Sequence, residues 1–172
     1  MADEATNGAA GAEPVAETAA AAQFNVQKLY VKNVSFEAPN APAIFQEQAM
    51  PQLQLNLNQK VARFDDDLYE VVLAVTLTCT INEKTAYLVE VEQAGIFGLS
   101  GFDEAGLDMM LGSHCPNVLF PYARQALGEL ISQGGFPPFL LQPINFDAIY
   151  AEQMRRRMDE AQSAQLPPVG NA

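Results

Sequence analysis

The sequence is poor in basic residues. Its 172 residues include 9 Lys and Arg against 21 Asp and Glu, which gives a formal net charge of −12 at pH 7. A protein that binds nucleic acids needs basic patches to contact the phosphates, so this balance excludes that class. An acidic body is typical of a protein with a basic partner, although it can also serve solubility alone.

Histidine and cysteine are also scarce, and their placement does not suit a catalytic or metal site. Cys79 and Cys115 are isolated cysteines and do not make the dense pattern of a disulfide framework. His114 is the single histidine and adjoins Cys115, whereas Cys–His catalysis needs convergent side chains and a third group that orients the base. These residues also lack the paired spacing of zinc ligands.

Two other segments give weak signals for an ion or a phosphate. The run Asp65-Asp66-Asp67 could bind a divalent cation, but three acids before a strand are more typical of a solvated turn. The glycines of 95–101 do not match GxGxxG and lead into acidic residues, so no phosphate site is predicted. We therefore expect a protein that is not an enzyme and that has no metal or other cofactor.

The N-terminal segment lacks the features of a targeting signal. Residues 1–22 are acidic, Ala-rich and interrupted by Gly and Pro, without the basic start or Leu-rich stretch of a signal peptide. No later stretch approaches a membrane span, so we expect no membrane insertion and a cytoplasmic location. We expect 1–22 to be disordered, 23–160 to form one domain, and 161–172 to be a flexible tail.

Four segments in the first part of the chain alternate between apolar and polar residues, which is the pattern of β-strands. The clearest is LYEVVLAVTLTCT at 68–80, in which every second side chain is apolar. In QLQLNLNQK at 52–60, three leucines alternate with Gln and Asn, and we expect them to point inward. The other strands are predicted at 24–36 and 85–93. Short connections between strands favour an antiparallel meander.

Helical periodicity replaces this alternation in the second part of the chain. Between 116 and 135 the apolar residues recur at helical spacing, and the segment ends in two glycines. Because a proline is tolerated only in the first turn, Pro121 predicts that this helix starts near Asn117 or Val118.

A second helix is predicted at 145–162, where Asn145 suits the N-cap and Phe146, Ile149 and Tyr150 form an apolar stripe. Four strands followed by two helices indicate an α+β fold, with a four-stranded antiparallel sheet and both helices on one face. This much apolar surface exceeds what one thin sheet can bury, which favours self-association.

Six short runs, in the same order along the chain, resemble the SecB family of protein-export chaperones. They are VSFEAPNAP at 34–42, YEVVL at 69–73, GIF at 95–97, CPNVLFPYAR at 115–124, GGFPP at 134–138 and PINFDAIY at 143–150. The resemblance implies a homotetramer, a dimer of dimers, in which edge strands pair between subunits. It also implies that the protein holds unfolded secretory preproteins without ATP and delivers them to the motor ATPase SecA.

The predicted fourth strand carries residues that the resemblance assigns to SecA docking. In TAYLVEVEQ, alternation places Leu88, Glu90 and Glu92 on one face, and a face with two carboxylates suits solvent. In the SecB family the basic C-terminal segment of SecA docks on this outward surface, and the matching positions here are Glu37, Leu88 and Glu90. Asn33 stands where other members can carry an acid, which removes one expected charge.

The resemblance also implies a groove that binds unfolded clients through apolar contacts. In the family this groove is bounded by the loop between the first two strands and by the last helix. The candidate groove residues here are Ile44, Phe45, Phe139, Phe146 and Tyr150. Such a groove selects nonnative chains because folded proteins hide their apolar segments. Ala49 stands where the family can have a tryptophan, so we expect one aromatic wall to be thinner.

A protein of another class could use the same surface. An α+β scaffold, or a carrier of a small apolar ligand, would need a similar cavity but would not bind unfolded chains. Saturable binding of one small molecule, with no affinity for a permanently unfolded polypeptide, would favour this alternative.

Overall fold

The computed structural model describes residues 21–164. The elements in this part of the chain are β1 (Gln23–Glu37), a 3₁₀ turn (Ala43–Gln46), β2 (Gln52–Asp65), β3 (Leu68–Ile81), β4 (Lys84–Ser100), α1 (Glu104–Met109), a π turn (Met110–His114), α2 (Cys115–Gln133) and α3 (Phe146–Ala164). The predicted disorder of residues 1–20 and the predicted flexible tail from 165 onward lie outside the described residues. Because α3 continues to Ala164, the first residues of the tail predicted at 161–172 are helical.

The strands form one antiparallel sheet in the order β1-β4-β3-β2. The antiparallel α+β architecture is confirmed, but the strand order corrects the predicted meander, because β1 pairs with β4 and not with β2. The connection at 38–51 crosses from one edge to the other, and its prolines do not suit a tight hairpin. The apolar-rich strands β3 and β4 occupy the centre, whereas the strands richer in Gln, Asn and Lys form the edges.

The core lies between the sheet and α2. Alternation along β3 and β4 points their odd-numbered side chains at the helices, and α2 contributes a stripe at helical spacing. The residues of this layer with at most 1% of their surface exposed include Val71, Leu73, Val75, Val89, Val91, Phe97, Leu119, Ala123, Leu127 and Ile131. Full burial of one large apolar side chain contributes about 1.5–3 kcal/mol, so this layer supplies most of the driving force for folding.

The long helical segment begins well before the predicted position. Asp103 caps α1 by accepting the backbone N–H of Gly106 at 2.9 Å, and the helical backbone continues through the π turn into α2. The predicted start near Asn117 or Val118 is therefore wrong, and Pro121 lies inside the helix.

The π turn explains how this helix passes Pro116. The backbone N–H of Cys115 bonds to the carbonyl of Met110, five residues back. Pro116 has no N–H, so the carbonyl of Leu111 is left without a helical donor. The side chain of Gln59 on β2 donates to that carbonyl at 2.6 Å. The helix thus tolerates a proline because a side chain from the sheet supplies the missing hydrogen bond.

The last helix, α3, is attached to the domain mainly through its first turns. Asn145 caps it as predicted and accepts the backbone N–H of Ala148 at 3.0 Å. Phe146 is buried against Phe120, with ring centroids 5.7 Å apart, whereas most side chains after Tyr150 are exposed. Among the described helices, none is long and apolar enough to cross a membrane.

Candidate binding surfaces

The outward face of the sheet brings the predicted docking residues together. Leu88 lies directly opposite Glu37 on β1, and Glu90 lies two positions further along β4 on the same face. Their neighbours on β3 are Thr78 and Thr76. Leu88 and Glu90 are half-buried and Glu37 is exposed, so one leucine lies between two carboxylates on a surface that water reaches.

Two other carboxylates on this face are neutralised by lysines of the edge strands. A carboxylate oxygen of Glu92 lies 3.2 Å from Lys60 Nζ, and one of Glu70 lies 2.8 Å from Lys32 Nζ. Tyr30 also donates its hydroxyl to Glu70. The bonds from Lys32 and Tyr30 lower the pKa of Glu70, and the bond to Glu70 raises the pKa of Tyr30 to about 12.

The carboxylates beside Leu88 have no such cation. Glu90 accepts a hydrogen bond from the uncharged hydroxyl of Thr76 at 3.0 Å. Among residues 21–164, neither Glu37 nor Glu90 forms an ion pair. Asn33, on the same face of β1, adds no charge. Two carboxylates without an ion pair therefore lie beside Leu88, where they can attract a basic group.

A second surface lies on the inward side of the same strands. The β1–β2 connection, the ends of β3 and β4 and the segment after α2 enclose a cavity of about 550 Å³, in which Glu47 is the one charged lining residue. The ring centroid of Phe136 lies 5.0 Å from that of Phe45 and 4.8 Å from that of Tyr87, and Phe36 stacks on Tyr87 at 6.1 Å. The cavity therefore offers aromatic and aliphatic contacts to an apolar ligand.

Polar contacts hold the β1–β2 connection against the turn between β3 and β4. The Glu47 carboxylate accepts hydrogen bonds from Lys84 at 2.9 Å and from Asn82 at 2.6 Å, and these bonds lower its pKa. The side-chain amide of Asn40 donates to the carbonyl of Thr85 at 2.9 Å. One wall of the cavity is therefore fixed in position by bonds to a neighbouring hairpin.

Some of the predicted groove residues lie at this cavity and others do not. Ile44, Phe45 and Phe139 line it, and Ile44, with 2% of its surface exposed, anchors the β1–β2 connection in the core. Phe146 belongs to the core and Tyr150 lies beside β2 near the π turn, so these two residues do not form the opposite wall.

Sequence reasoning missed Tyr87 and Phe136, two aromatic residues that line the cavity, and Phe36, which packs against both of them. The alternation of β4 already places Tyr87 on the inward side, which was one available signal. The other signal was the pair of glycines before Phe136. A Cβ at Gly134 would overlap the ring of Phe36, and Gly135 has a φ of +82°, so glycine permits both the close approach and the turn.

A second groove lies further along β2, toward α3. It has a volume of about 590 Å³ and is lined in part by Leu57 and Tyr150. The Tyr150 hydroxyl donates to Asp108 at 2.8 Å, and this bond raises the pKa of Tyr150. Leu53 and Leu55 point inward as predicted, but they are 41% and 39% exposed because α2 packs on β3 and β4. These leucines connect the cavity to the groove.

The candidate catalytic residues do not form a reactive site. Burial raises the pKa of the Cys115 thiol to about 12 and also raises the pKa of Cys79, so both thiols stay protonated at neutral pH. His114 is exposed and contacts Phe24 edge-on, with ring centroids 4.7 Å apart. In the part of the chain that the structure describes, no group of three or more His, Cys, Asp or Glu side chains could hold a metal ion.

The sequence matches one family of known proteins. A family model described as preprotein translocase subunit SecB matches residues 17–157. The chain is similar to the protein-export protein SecB of Xanthomonas euvesicatoria pv. vesicatoria, at 58% identity over 173 residues, and each chain is covered in full. It is also similar to the SecB of Stenotrophomonas maltophilia, at 55% identity over 175 residues, again with both chains covered in full.

One solved structure has a similar fold. The SecB-like chaperone of Mycobacterium tuberculosis, determined in complex with a ChAD peptide from an antitoxin, has a TM-score of 0.60 and 16% sequence identity. The likeness covers 70% of this chain and 90% of that chain.

Proposed function

The chain belongs to the SecB family of protein-export chaperones, and we propose that it holds unfolded secretory preproteins without ATP and delivers them to SecA. The observation that carries this proposal is the presence of two unlike surfaces on opposite faces of the same strands. The inward aromatic cavity suits an apolar segment of a client, and Leu88 between Glu37 and Glu90 suits a basic partner. A chaperone that receives one protein and passes it to another needs two such surfaces.

The proposed client surface runs from the aromatic cavity along β2 to the groove beside α3. Ile44, Phe45 and Phe139 line one end of this path and Tyr150 lines the other, while Phe146 supports it from the core. Apolar contacts spread along this length need no fixed sequence, so they favour nonnative chains over folded ones. The peptide bound to the SecB-like chaperone of M. tuberculosis supports peptide binding by this fold.

The proposed docking site for the basic C-terminal segment of SecA consists of Glu37, Leu88 and Glu90. The two carboxylates attract and orient a basic segment, and Leu88 adds an apolar contact that loses its water on binding. Asn33 adds no charge to this site, so docking here is weaker than in a relative with an acid at that position.

We also propose a homotetramer, built as a dimer of dimers, in the cytoplasm. The edge strand β1 exposes Val26, Val31 and Val34 on its inward side, each by 40% or more. Pairing of β1 with its counterpart in a second subunit would satisfy the edge backbone and cover these valines. Exposed residues of α2, such as Tyr122, would then face the other dimer. Sedimentation equilibrium measures the assembled mass directly.

Refolding of a chemically denatured, slow-folding exported preprotein tests the holding activity. Dilution into stoichiometric amounts of the protein, without nucleotide and without SecA, should arrest refolding because the unfolded state is bound. Refolding at the unassisted rate would refute the activity. A carrier of one small apolar molecule, which a cavity of about 550 Å³ could also hold, would give that result together with saturable binding of an apolar dye.

Charge reversal at Glu90 tests the docking site. Glu90→Lys should weaken binding of the SecA C-terminal segment about tenfold or more at low salt, while the arrest of preprotein refolding stays unchanged. Glu83→Lys in the exposed turn between β3 and β4 makes the same change in net charge and is the matched control. Unchanged affinity in Glu90→Lys, or an equal loss in both variants, would refute the assignment.

Truncation of Leu88 tests how much its apolar contact contributes to docking, independently of the two carboxylates. Leu88→Ala should weaken binding of the same segment about fivefold, because it removes one desolvated anchor. Its salt dependence between about 0.05 M and about 0.5 M should match that of the unmodified protein, since no charge is lost. A changed salt dependence would indicate that Leu88 acts by positioning the carboxylates.

A further inference from the structure

The two carboxylates beside Leu88 differ in how firmly they are held. Glu90 accepts a hydrogen bond from the hydroxyl of Thr76, with 3.0 Å between Thr76 Oγ1 and Glu90 Oε2. Glu37 is exposed, and no group within residues 21–164 donates a hydrogen bond to its side chain. The fold therefore orients one of the two carboxylates and leaves the other unrestrained.

The register of the sheet places Thr76 where its hydroxyl reaches Glu90. Thr76 on β3 lies directly opposite Glu90 on β4, and both side chains face outward. Side chains in this relation have Cβ atoms about 4.5–5.5 Å apart, which suits a hydrogen bond between a short side chain and a longer one. Because threonine is β-branched, its rotation about χ1 is restricted. The donor is thus held by its own strand and passes that order to the carboxylate.

A hydroxyl donor fixes the carboxylate without cancelling its charge. Glu92 on the same face is neutralised by its ion pair with Lys60, whereas the Thr76 hydroxyl is uncharged and leaves Glu90 an anion. An ionised carboxylate has about four lone-pair sites, so one bond from Thr76 leaves most of its acceptor capacity for a partner. A glutamate that is ordered in advance also loses less rotamer entropy when a partner binds to it.

The Thr76–Glu90 bond lies away from the edge that we propose to pair between subunits. The strand order places β3 and β4 in the centre of the sheet and β1 at its edge. Both side chains are half-buried on the outward face, opposite the face that packs on α2. Pairing through β1 therefore does not use the backbone of either residue, and a docking partner can reach Glu90 from the outward side.

We propose that Thr76 is a positioning residue of the docking site, and that its hydroxyl holds the Glu90 carboxylate in the orientation that a cationic group of the partner meets. This inference rests on the docking site proposed above for the basic C-terminal segment of SecA. Glu90 supplies a directed contact, whereas the unrestrained Glu37 supplies attraction alone. Thr76 adds order and no charge, so its loss lowers the affinity for SecA and leaves the salt dependence of binding unchanged.

Titration calorimetry with purified full-length SecA as the probe tests this inference. Thr76→Val keeps the branched shape without the hydroxyl, and it should weaken binding about threefold while the arrest of preprotein refolding stays unchanged. Thr76→Ser keeps the hydroxyl and should restore most of the affinity. Thr78→Val is the matched control, because Thr78 is half-buried on the same face of β3, opposite Leu88. This control should change the affinity less than about 1.5-fold.

A double-mutant cycle assigns the effect of Thr76 to Glu90. In a Glu90→Ala background, Thr76→Val should cause no further loss of SecA binding, because the hydroxyl then has no carboxylate to orient. An equal loss with and without Glu90 would mean that the hydroxyl contacts SecA directly, and this result would overturn the inference. The salt dependence of Thr76→Val between about 0.05 M and about 0.5 M should match that of the unmodified protein.

The outcomes separate this inference from the docking proposal. If Glu90→Lys weakens SecA binding while Thr76→Val does not, the positioning role is refuted and the Leu88 site stands. If neither variant has an effect, docking on this face is refuted altogether. Equal losses in Thr76→Val and Thr78→Val would also refute the positioning role, because the affinity would then depend on any hydroxyl of this face.

A second pair of variants keeps the test decisive if Thr76→Val folds poorly. Valine suits a strand, so this variant should unfold at the same urea concentration as Thr78→Val. If it unfolds at a lower concentration, Thr76→Ser and Thr76→Ala are compared with each other, since they differ only in the hydroxyl. The serine variant should bind SecA about threefold more tightly than the alanine variant, and equal affinities would refute the inference.

Discussion

The two faces of β4 differ in chemistry although they share one backbone. Odd-numbered side chains such as Val91 are fully buried under the helices, whereas even-numbered ones such as Glu92 face outward and stay partly hydrated. Because a strand alternates with a period of two, adjacent positions depend on different forces, packing on one side and charge on the other. Two binding surfaces can therefore lie back to back without sharing a side chain.

The largest expected effect comes from moving a charge from one face to the other. Val91→Asp should lower the free energy of unfolding by about 4 kcal/mol or more, because it buries an unpaired carboxylate. Glu92→Ala should cost less than about 1 kcal/mol, since it removes one partly exposed ion pair. Urea unfolding followed by circular dichroism measures both. Similar losses in the two variants would show that the outward face is packed and not solvated.

The second-largest effect is expected for a substitution in the aromatic cavity. Phe136→Ala removes the ring that contacts Phe45 and Tyr87, and it should lower stability by about 3 kcal/mol and weaken the arrest of preprotein refolding about tenfold. Binding of the SecA segment at Leu88 should persist, which calorimetry on the folded variant measures. Phe136→Leu keeps most of the apolar volume, so it should lose less stability and less of the arrest of refolding than Phe136→Ala. Loss of SecA binding in Phe136→Ala would mean that the two faces are coupled.

A smaller effect is expected for the bond between β2 and the π turn. Gln59→Leu leaves the Leu111 carbonyl without a donor and should lower stability by about 1–2 kcal/mol. Gln54→Leu makes the same substitution on the exposed outward side of β2 and should change stability by less than about 0.5 kcal/mol. Thermal and urea unfolding compare the two. If Gln59→Leu does not change stability, water must take the place of the Gln59 side chain as the donor to the Leu111 carbonyl.

The smallest effect is expected for ligand binding at acidic pH. Lys84 and Asn82 lower the pKa of Glu47 below 4.5, so the bonds that hold the cavity wall are intact above that value and weaken as pH falls through the lower, folded-state pKa. Binding of an apolar fluorescent dye should stay constant around neutral pH and change only once the pH falls below the ordinary pKa of a glutamate side chain. Glu47→Gln should abolish the pH dependence. An identical profile in this variant would assign the transition to another carboxyl group.

Local patterns predicted the strands, the faces of the side chains on β2, β3 and β4, and the cap of α3, whereas bulges in β1 interrupt its alternation. The common face of Leu88 and Glu90 followed from alternation alone, because the pleat is the same in any sheet. Asn145 was recognisable as an N-cap because its side chain bonds to a backbone N–H only three residues away. These features depend on neighbours in the sequence, which is why the sequence suffices for them.

The errors all involve partners from distant parts of the chain. The predicted meander ignored the long connection that carries the chain to the far edge of the sheet. Pro121 predicts a helix that starts near Asn117 or Val118, yet the helix begins earlier and passes Pro116 with the help of Gln59 on β2. Sequence patterns also gave no sign that Phe136 lies beside Phe45, because the turn after α2 brings these two rings together.

The sequence by itself determined the acidic composition, the strand and helix periodicities and the short runs that indicate the SecB family, because each of these is a property of residues in order along the chain. Only the tertiary structure decided which acids keep their charge free. Lys32 pairs with Glu70 and Lys60 with Glu92 across the sheet, while Glu37 and Glu90 are left beside Leu88. Ion pairs form between atoms that are close in space, and strand order sets that closeness.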